Sequence, residues 1–260
     1  MLKKIFFYTL SFILSMELAS AQAPGYAFIA ANGTYTAIVG TAVPLTYDGS
    51  PNNDDGIAVP ASAVPIGFTF NYNGTNYTLI RPCANGFATF STTALATGTD
   101  TWTNNISGSA ATMRPMLALL WDDLDMGAGT VTYALSGVAP SRVLTIQWNK
   151  AKWTYSAANP GISFQLKLYE TTNVIEYIYQ QESGTVTNTS TNDLGATIGL
   201  STTATGVNSF LSLSDATASP TVSATVETST INTKPATGQI YRWIPYCTAG
   251  ATLTTGEKIS

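Results

Sequence analysis

RVLTIQW (142–148), ISFQLKLYE (162–170) and VIEYIYQ (174–180) lie in close succession near the middle of the chain. In the first, Leu144, Ile146 and Trp148 fall on one face. In the second, Ile162, Phe164, Leu166 and Leu168 oppose Ser163, Gln165 and Lys167. In the third, Ile175, Tyr177 and Tyr179 fall together. Successive side chains of a strand point to opposite sides, so this period of two predicts three antiparallel strands, each with one buried face and one wet face. The polar segment Glu170-Thr171-Thr172-Asn173 is short enough to turn the last two into a hairpin.

The flanking sequence extends the same pattern. On the N-terminal side, residues 26–31 and 34–39 read as short strands around Asn32-Gly33, and 48–56 (DGSPNNDDG) is a loop of turn formers. Residues 66–70 turn at Asn73-Gly74 into 77–80, with 86–90 following, to make a second meander. Residues 91–112 are polar and show no alternation; a segment of that length is either a surface excursion or a ligand contact. MLALLW (116–121) is apolar throughout, as a central strand covered on both faces would be, although the pattern also fits a short buried helix. Residues 130–135, 196–200, 209–213 and 239–244 read as further strands, and 215–234 as a long surface connection. About a dozen strands without alternating helices predict an all-β fold: a large antiparallel β-sandwich, jelly-roll-like, over residues 22–245.

Lys3 and Lys4, the apolar run 5–16 and the small residues Ala19-Ser20-Ala21 read as a secretory signal peptide over 1–21. The alternative, an uncleaved anchor, has an apolar run well short of the ~20 residues that span a bilayer. Cleavage changes the net charge from −4 to −5, because it removes two lysines and one glutamate. A mildly acidic chain with few basic residues argues against nucleic acid and anionic membranes as partners, and no membrane insertion is expected after cleavage. An exported chain can keep a disulfide, so Cys83 and Cys247 either pair with each other or Cys247 pairs beyond residue 260.

The densest group of functional side chains is Asp122, Asp123 and Asp125, directly after Trp121. Carboxylates are hard oxygen ligands, and these three, joined by Asp54 and Asp55, are candidate calcium ligands. The spacing is not that of an EF-hand. The competing reading is a strand stop whose aspartates accept backbone N–H groups and keep an edge soluble. The chain has no histidine, which removes Ser-His-Asp and Cys-His mechanisms and histidine-based zinc sites. Glu170, in the turn, and Glu176, opposite the apolar face of its strand, read as solvated residues rather than a glycosidase pair. Trp102, Trp153 and Tyr155 fall near loops or strand ends and are candidate ligand-binding residues, since sugar rings stack on aromatic faces. Trp121 and Trp148 read as core.

In order and spacing, IGFTFNYNGTNYT (66–78), ANGFATF (84–90), LALLWDDLD (117–125), RVLTIQW, ISFQLKLYETTNVIEYIY (162–179), IGLS (198–201) and IYRWIP (240–245) resemble the N-terminal module of large exported proteins of Bacteroidetes. The pattern is loosely similar to nidogen-type extracellular β domains. The resemblance implies type IX secretion, and downstream GEVED or fibronectin type III modules. Tyr246-Cys247 resembles the opening of a GEVED-type module, which makes 246–260 the start of a following domain and places the partner of Cys247 further along the parent chain. Cys83 departs from the pattern, and so a Cys83–Cys247 bridge stays open. The expected function is that of a non-catalytic secreted or cell-surface module for adhesion, ligand binding or presentation of downstream domains, with an extracellular glycan or protein as ligand. The rivals are a carbohydrate-binding module and a domain of a secreted polysaccharide hydrolase or peptidase.

Overall fold

A computed structural model describes residues 24–186 and 195–246. The expected signal peptide, Cys247 and all but Tyr246 of the expected downstream module lie outside the described residues. Those described form sixteen strands in two seven-stranded antiparallel sheets and one two-stranded ribbon. The all-β sandwich predicted from the alternation is the observed fold, with more strands than the expected dozen because several have only two residues.

The first sheet has the order β1 (Tyr26–Asn32), β16 (Gln239–Pro245), β12 (Ile175–Gln181), β11 (Ile162–Tyr169), β10 (Val143–Ala151), β9 (Thr130–Ser136) and β2 (Thr41–Ala42). Its centre is the meander of the three quoted segments, in the register Leu144↔Leu168 and Leu166↔Tyr177. The second has the order β15 (Val222–Ser223), β14 (Phe210–Leu213), β13 (Thr197–Ser201), β8 (Met116–Trp121), β7 (Phe87–Thr89), β6 (Thr75–Pro82) and β5 (Val64–Tyr72). The ribbon pairs β3 (Thr46–Tyr47) with β4 (Ser50–Pro51). Asn73 and Gly74 turn β5 into β6 with φ of 49° and 85°, the left-handed pair of a tight hairpin.

The main core lies between the sheets, where Ile146, Trp148, Phe164 and Leu166 meet Ile80, Leu117, Leu119 and Ile198. Tyr177 and Tyr179 cross this core and donate their hydroxyls to Gly199 O (3.0 Å) and Leu119 O (2.6 Å), so neither phenol is left unsatisfied at the centre. A second, smaller core covers the opposite face of the second sheet. It joins Ile57, Cys83, Phe87, Ile106, Met113, Met116, Ala118, Trp121 and Phe210, with Leu95 against it. The polar excursion 91–112 supplies its lid, which is why β8 is apolar at every position. Near the end of β8 a bulge reverses the alternation: Leu119 N and Leu120 N both donate to Gly86 O (3.0 and 3.1 Å), and Trp121 turns into the second core. Gly86 permits the approach, since a Cβ there would sit 2.1 Å from Leu120 O.

Two expectations are corrected. Residues 34–39 are not a strand, and Asn32-Gly33 makes no hairpin; β1 pairs along its whole length with β16 instead. Residues 33–40 run as a strap over the outer face of the first sheet. Gln147 Oε1 accepts from Tyr35 Oη (3.2 Å), Ile38 N (3.0 Å) and Gln165 Nε2 (2.8 Å), and Gln165 Nε2 also donates to Thr36 O (2.8 Å). The face predicted to be wet is therefore buried at Gln147, Ser163, Gln165 and Glu176.

Candidate metal centre

The loop 52–55 is shaped by its own first residue. Asn52 Oδ1 accepts both Asp54 N and Asp55 N at 2.8 Å, an Asx turn that sets the two carboxylates side by side. Asn53 then stitches this loop to the one after β8: Met126 N donates to Asn53 O (2.9 Å) and Asn53 Nδ2 to Gly127 O (3.4 Å). The result brings Asp54, Asp55 and Asp123 together, with one carboxylate oxygen from each lying within 4.8 Å of the others. All three are half-buried.

The three aspartates after Trp121 thus separate into different roles, which corrects the expected ligand set. Asp122 is 2 % exposed; its Oδ2 accepts from Trp153 Nε1 (2.7 Å) and its Oδ1 from Asp123 N (2.9 Å). Asp125 pairs with Lys152 Nζ (2.8 Å) and caps Gly127 N (2.5 Å). Asp123 alone of the run joins Asp54 and Asp55.

The electrostatics of the group are unfavourable for a set of bare carboxylates. Asp54 has its pKa raised to about 6, first by burial and then by Asp55 and Asp125, with Lys152 opposing. Asp55 is also raised, first by burial, against the hydrogen bond from Asn85 Nδ2 (3.2 Å), with Asp100 and Asp125 adding to the rise. Asp54 Oδ1 and Asn85 Oδ1 are buried without a hydrogen-bond partner among the described residues. A buried acceptor without a donor costs about 1–3 kcal/mol, a cost that a cation would offset. Carboxylate and amide oxygens are the donor set of a hard divalent ion, so the residues present can coordinate one. Asn85 was not legible as a neighbour of this group, because it lies 30 residues from Asp55 along the chain.

The candidate aromatic residues do not form one face. Trp153 is fully buried in the main core, with its indole N–H on Asp122, so its proposed stacking role is corrected. The cause is a bulge between Trp148 and Ala151, with Lys150 at φ 61°, which turns Ala151 and Trp153 inward. Tyr155 is 55 % exposed. Trp102 is half-buried and leans on Tyr47, with ring centroids 6.1 Å apart at 58°. This pair adjoins the acidic group through Thr101, whose Oγ1 donates to Asp55 O (3.0 Å) and accepts from Asn85 Nδ2 (3.1 Å).

Glu176 is not the solvated acid expected, and Glu170, part-exposed in its turn, is ion-paired. Arg142 grips Glu170 with Nε (2.8 Å), Nη2 (2.5 Å) and its backbone N (2.9 Å), and the side-chain contact holds the carboxyl down at about 2. Glu176 is 2 % exposed between Arg242 (2.6 Å) and Lys167 (3.4 Å). Cys83 is a free thiol in the second core, and burial pushes it up to about 12. Among the described residues no helix is long and apolar enough to cross a membrane.

No curated protein and no solved structure matches the chain. A family model described as NIDO related matches residues 25–245. That match starts one residue before β1 and ends with the last residue of β16, taking in both sheets and the acidic loops, and the chain therefore belongs to the NIDO-related family.

Proposed function

We propose that this NIDO-related sandwich is a non-catalytic binding module of a larger exported protein, secreted or held at the cell surface, whose loops 52–55 and 122–127 are fixed by calcium. The observation that carries the reading is the convergence of Asp54, Asp55 and Asp123, with a buried carboxylate oxygen that has no donor among the described residues. The calcium concentration outside cells makes even a weak site of this kind useful. In this reading residues 1–21 direct export, 22–245 form the module and 246–260 open the next one, as in the type IX-secreted Bacteroidetes proteins that the sequence resembles. Its work is adhesion, ligand capture or presentation of downstream domains.

A second reading, carbohydrate recognition, is favoured by the Tyr47–Trp102 pair beside the acidic loops. Stacking on half-exposed rings is how apolar sugar faces are bound. A glycan-array screen of the mature chain, with calcium and again with chelator, separates the two. Saturable binding lost on Trp102→Ala assigns the aromatic pair to a glycan. Loss on chelation and on Asp54→Asn ties recognition to the ion. Absence of any glycan binding removes the carbohydrate reading and directs the search to protein ligands.

A further inference from the structure

Arg81, next to last in β6, points to the outer side of the second sheet and is 1 % exposed. Among the described residues, its hydrogen-bond partners are all backbone carbonyls. Nε donates to Ser91 O (2.7 Å), Nη2 to Thr93 O (2.7 Å) and Thr112 O (3.5 Å), and Nη1 to Ala58 O (3.4 Å). The bonds to Thr112 and Ala58 are long, and Nη1 has a second N–H beyond these contacts. Carbonyls satisfy donors but carry no net charge. The four ion pairs among the described residues leave Arg81 out. A guanidinium keeps its charge in proteins, and buried charges are ordinarily paired.

Arg81 also lines a cavity of about 120 Å³ under the 94–99 loop, walled by Tyr47, Ile57, Val59, Leu95 and Thr97. That is room for several ordered waters or for the end of a small ligand. Arg114, the other buried arginine, provides the contrast. It makes five contacts, to Thr202 O, Ile106 O, Ser109 Oγ, Ser209 O and Ser209 Oγ, has the charge of Glu227 nearby, and lines none of the three cavities described. Asp48 stands in the wall of the Arg81 cavity, with Oδ1 held by Gly98 N (2.9 Å), and its charge disfavours multiply charged anions. The remaining walls are mostly aliphatic or carry hydroxyls.

We propose that this cavity binds the carboxylate end of a small organic acid with a short aliphatic body, with Arg81 as its counter-charge. The inference does not rest on the calcium reading. A carboxylate of this kind comes either from a free acid or from a peptide C-terminus. The test is a protein-observed NMR titration of the mature chain with butyrate and with N-acetyl-glycyl-alanine, each against its neutral amide. Saturable shifts at Arg81 Nε and the Leu95 methyls are expected, about 10-fold tighter for the acids than for the amides. The tighter of the two acids names the source. Leu95→Trp, which fills the cavity and leaves Arg81 in place, should abolish the titration while the amide spectrum stays folded; Arg81→Gln should do the same. Equal response to acid and amide, no saturation with either acid, or binding that survives Leu95→Trp would overturn the proposal.

Discussion

Glu176 on the first sheet lies between Lys167 and Arg242, and Glu170 at its rim is gripped by Arg142. On the second sheet Arg81 and Arg114 are just as deeply buried, yet neither has a carboxylate within ion-pair distance among the described residues. Asp54 and Asp55, in the loop that leads into the second sheet, likewise have no basic partner among those pairs. Each of the four pairs has at least one member on a first-sheet strand or directly at its end. The Glu170 pair lies at the rim and contributes little to stability, Glu176 is buried but paired twice, and a buried charge with no such partner is costly enough to need a reason. The first sheet neutralises its own charges; on the second sheet Arg114 has five contacts and the charge of Glu227 nearby, which leaves Arg81 and the 52–55 loop as the places to look for ligands.

The largest expected effect tests the acidic run where it is already compensated. Trp153→Ala removes a fully buried indole and takes its N–H donor from the Asp122 carboxylate, and should cost about 3–5 kcal/mol in chemical denaturation. Trp102→Ala, at a half-buried ring, should stay within about 1 kcal/mol. Similar costs for the two would mean that Trp153 is not the core residue described. Next, Arg114→Met takes the guanidinium away from Thr202 O, Ile106 O, Ser109 Oγ and Ser209 Oγ, while Ser209 O keeps the Thr202 N–H (2.8 Å), and should cost about 2–4 kcal/mol. A neutral result there would show that the buried arginines of the second sheet are not held by their carbonyl contacts.

Titration gives smaller effects. The carboxyl of Asp54 is raised from 3.8 to about 6, so between those values the folded chain keeps a proton that the unfolded chain has released. Metal-free stability should therefore fall as pH rises from about 4 to about 6 and remain lower above. Asp54→Asn should remove that fall and stabilise the metal-free protein at pH 7 by about 1 kcal/mol, after allowance for solvent screening of a half-buried group. Glu170 goes the other way. Its pKa is lowered from 4.5 to about 2 by Arg142, so its contribution is present above 4.5 and lost as pH falls through 2. Arg142→Ala should return Glu170 to the ordinary carboxylate range in an NMR titration and flatten the pH dependence of stability between about 4.5 and 2. A Glu170 that still titrates near 2 would assign the shift to something other than Arg142.

Much of the architecture was legible because alternation reports the inner face directly. Leu144, Ile146 and Trp148, and Ile162 to Leu168, are core as their spacing predicts, and MLALLW is covered on both sides. Alternation says nothing about what lies over the outer face. Gln147, Gln165 and Glu176 are polar, so they read as wet, yet the outer face is buried, and the strap through Tyr35 and Ile38 covers Gln147 and Gln165 with hydrogen bonds rather than apolar contacts. Bulges hid the rest. One irregularity after Trp148 sends Trp153 into the core, and another at Leu119–Leu120 sends Trp121 outward. The acidic cluster was legible as composition but not as geometry: three neighbouring aspartates suggested one site, whereas backbone direction gives Asp122 to Trp153, Asp125 to Lys152 and only Asp123 to the loop of Asp54 and Asp55.

Thermal unfolding of residues 22–260 at pH 7, in millimolar calcium and again in chelator, bears most directly on the claim that Asp54, Asp55 and Asp123 hold an ion. Ligand binding to the folded state alone raises stability by about 2.7 kcal/mol at 100-fold excess over Kd, which for a chain of this size is a Tm increase of roughly 5–10 °C. An increase of that order is expected in the wild type, and little or none in Asp54→Asn. An unchanged wild-type midpoint, or an equal rise in Asp54→Asn, would contradict it.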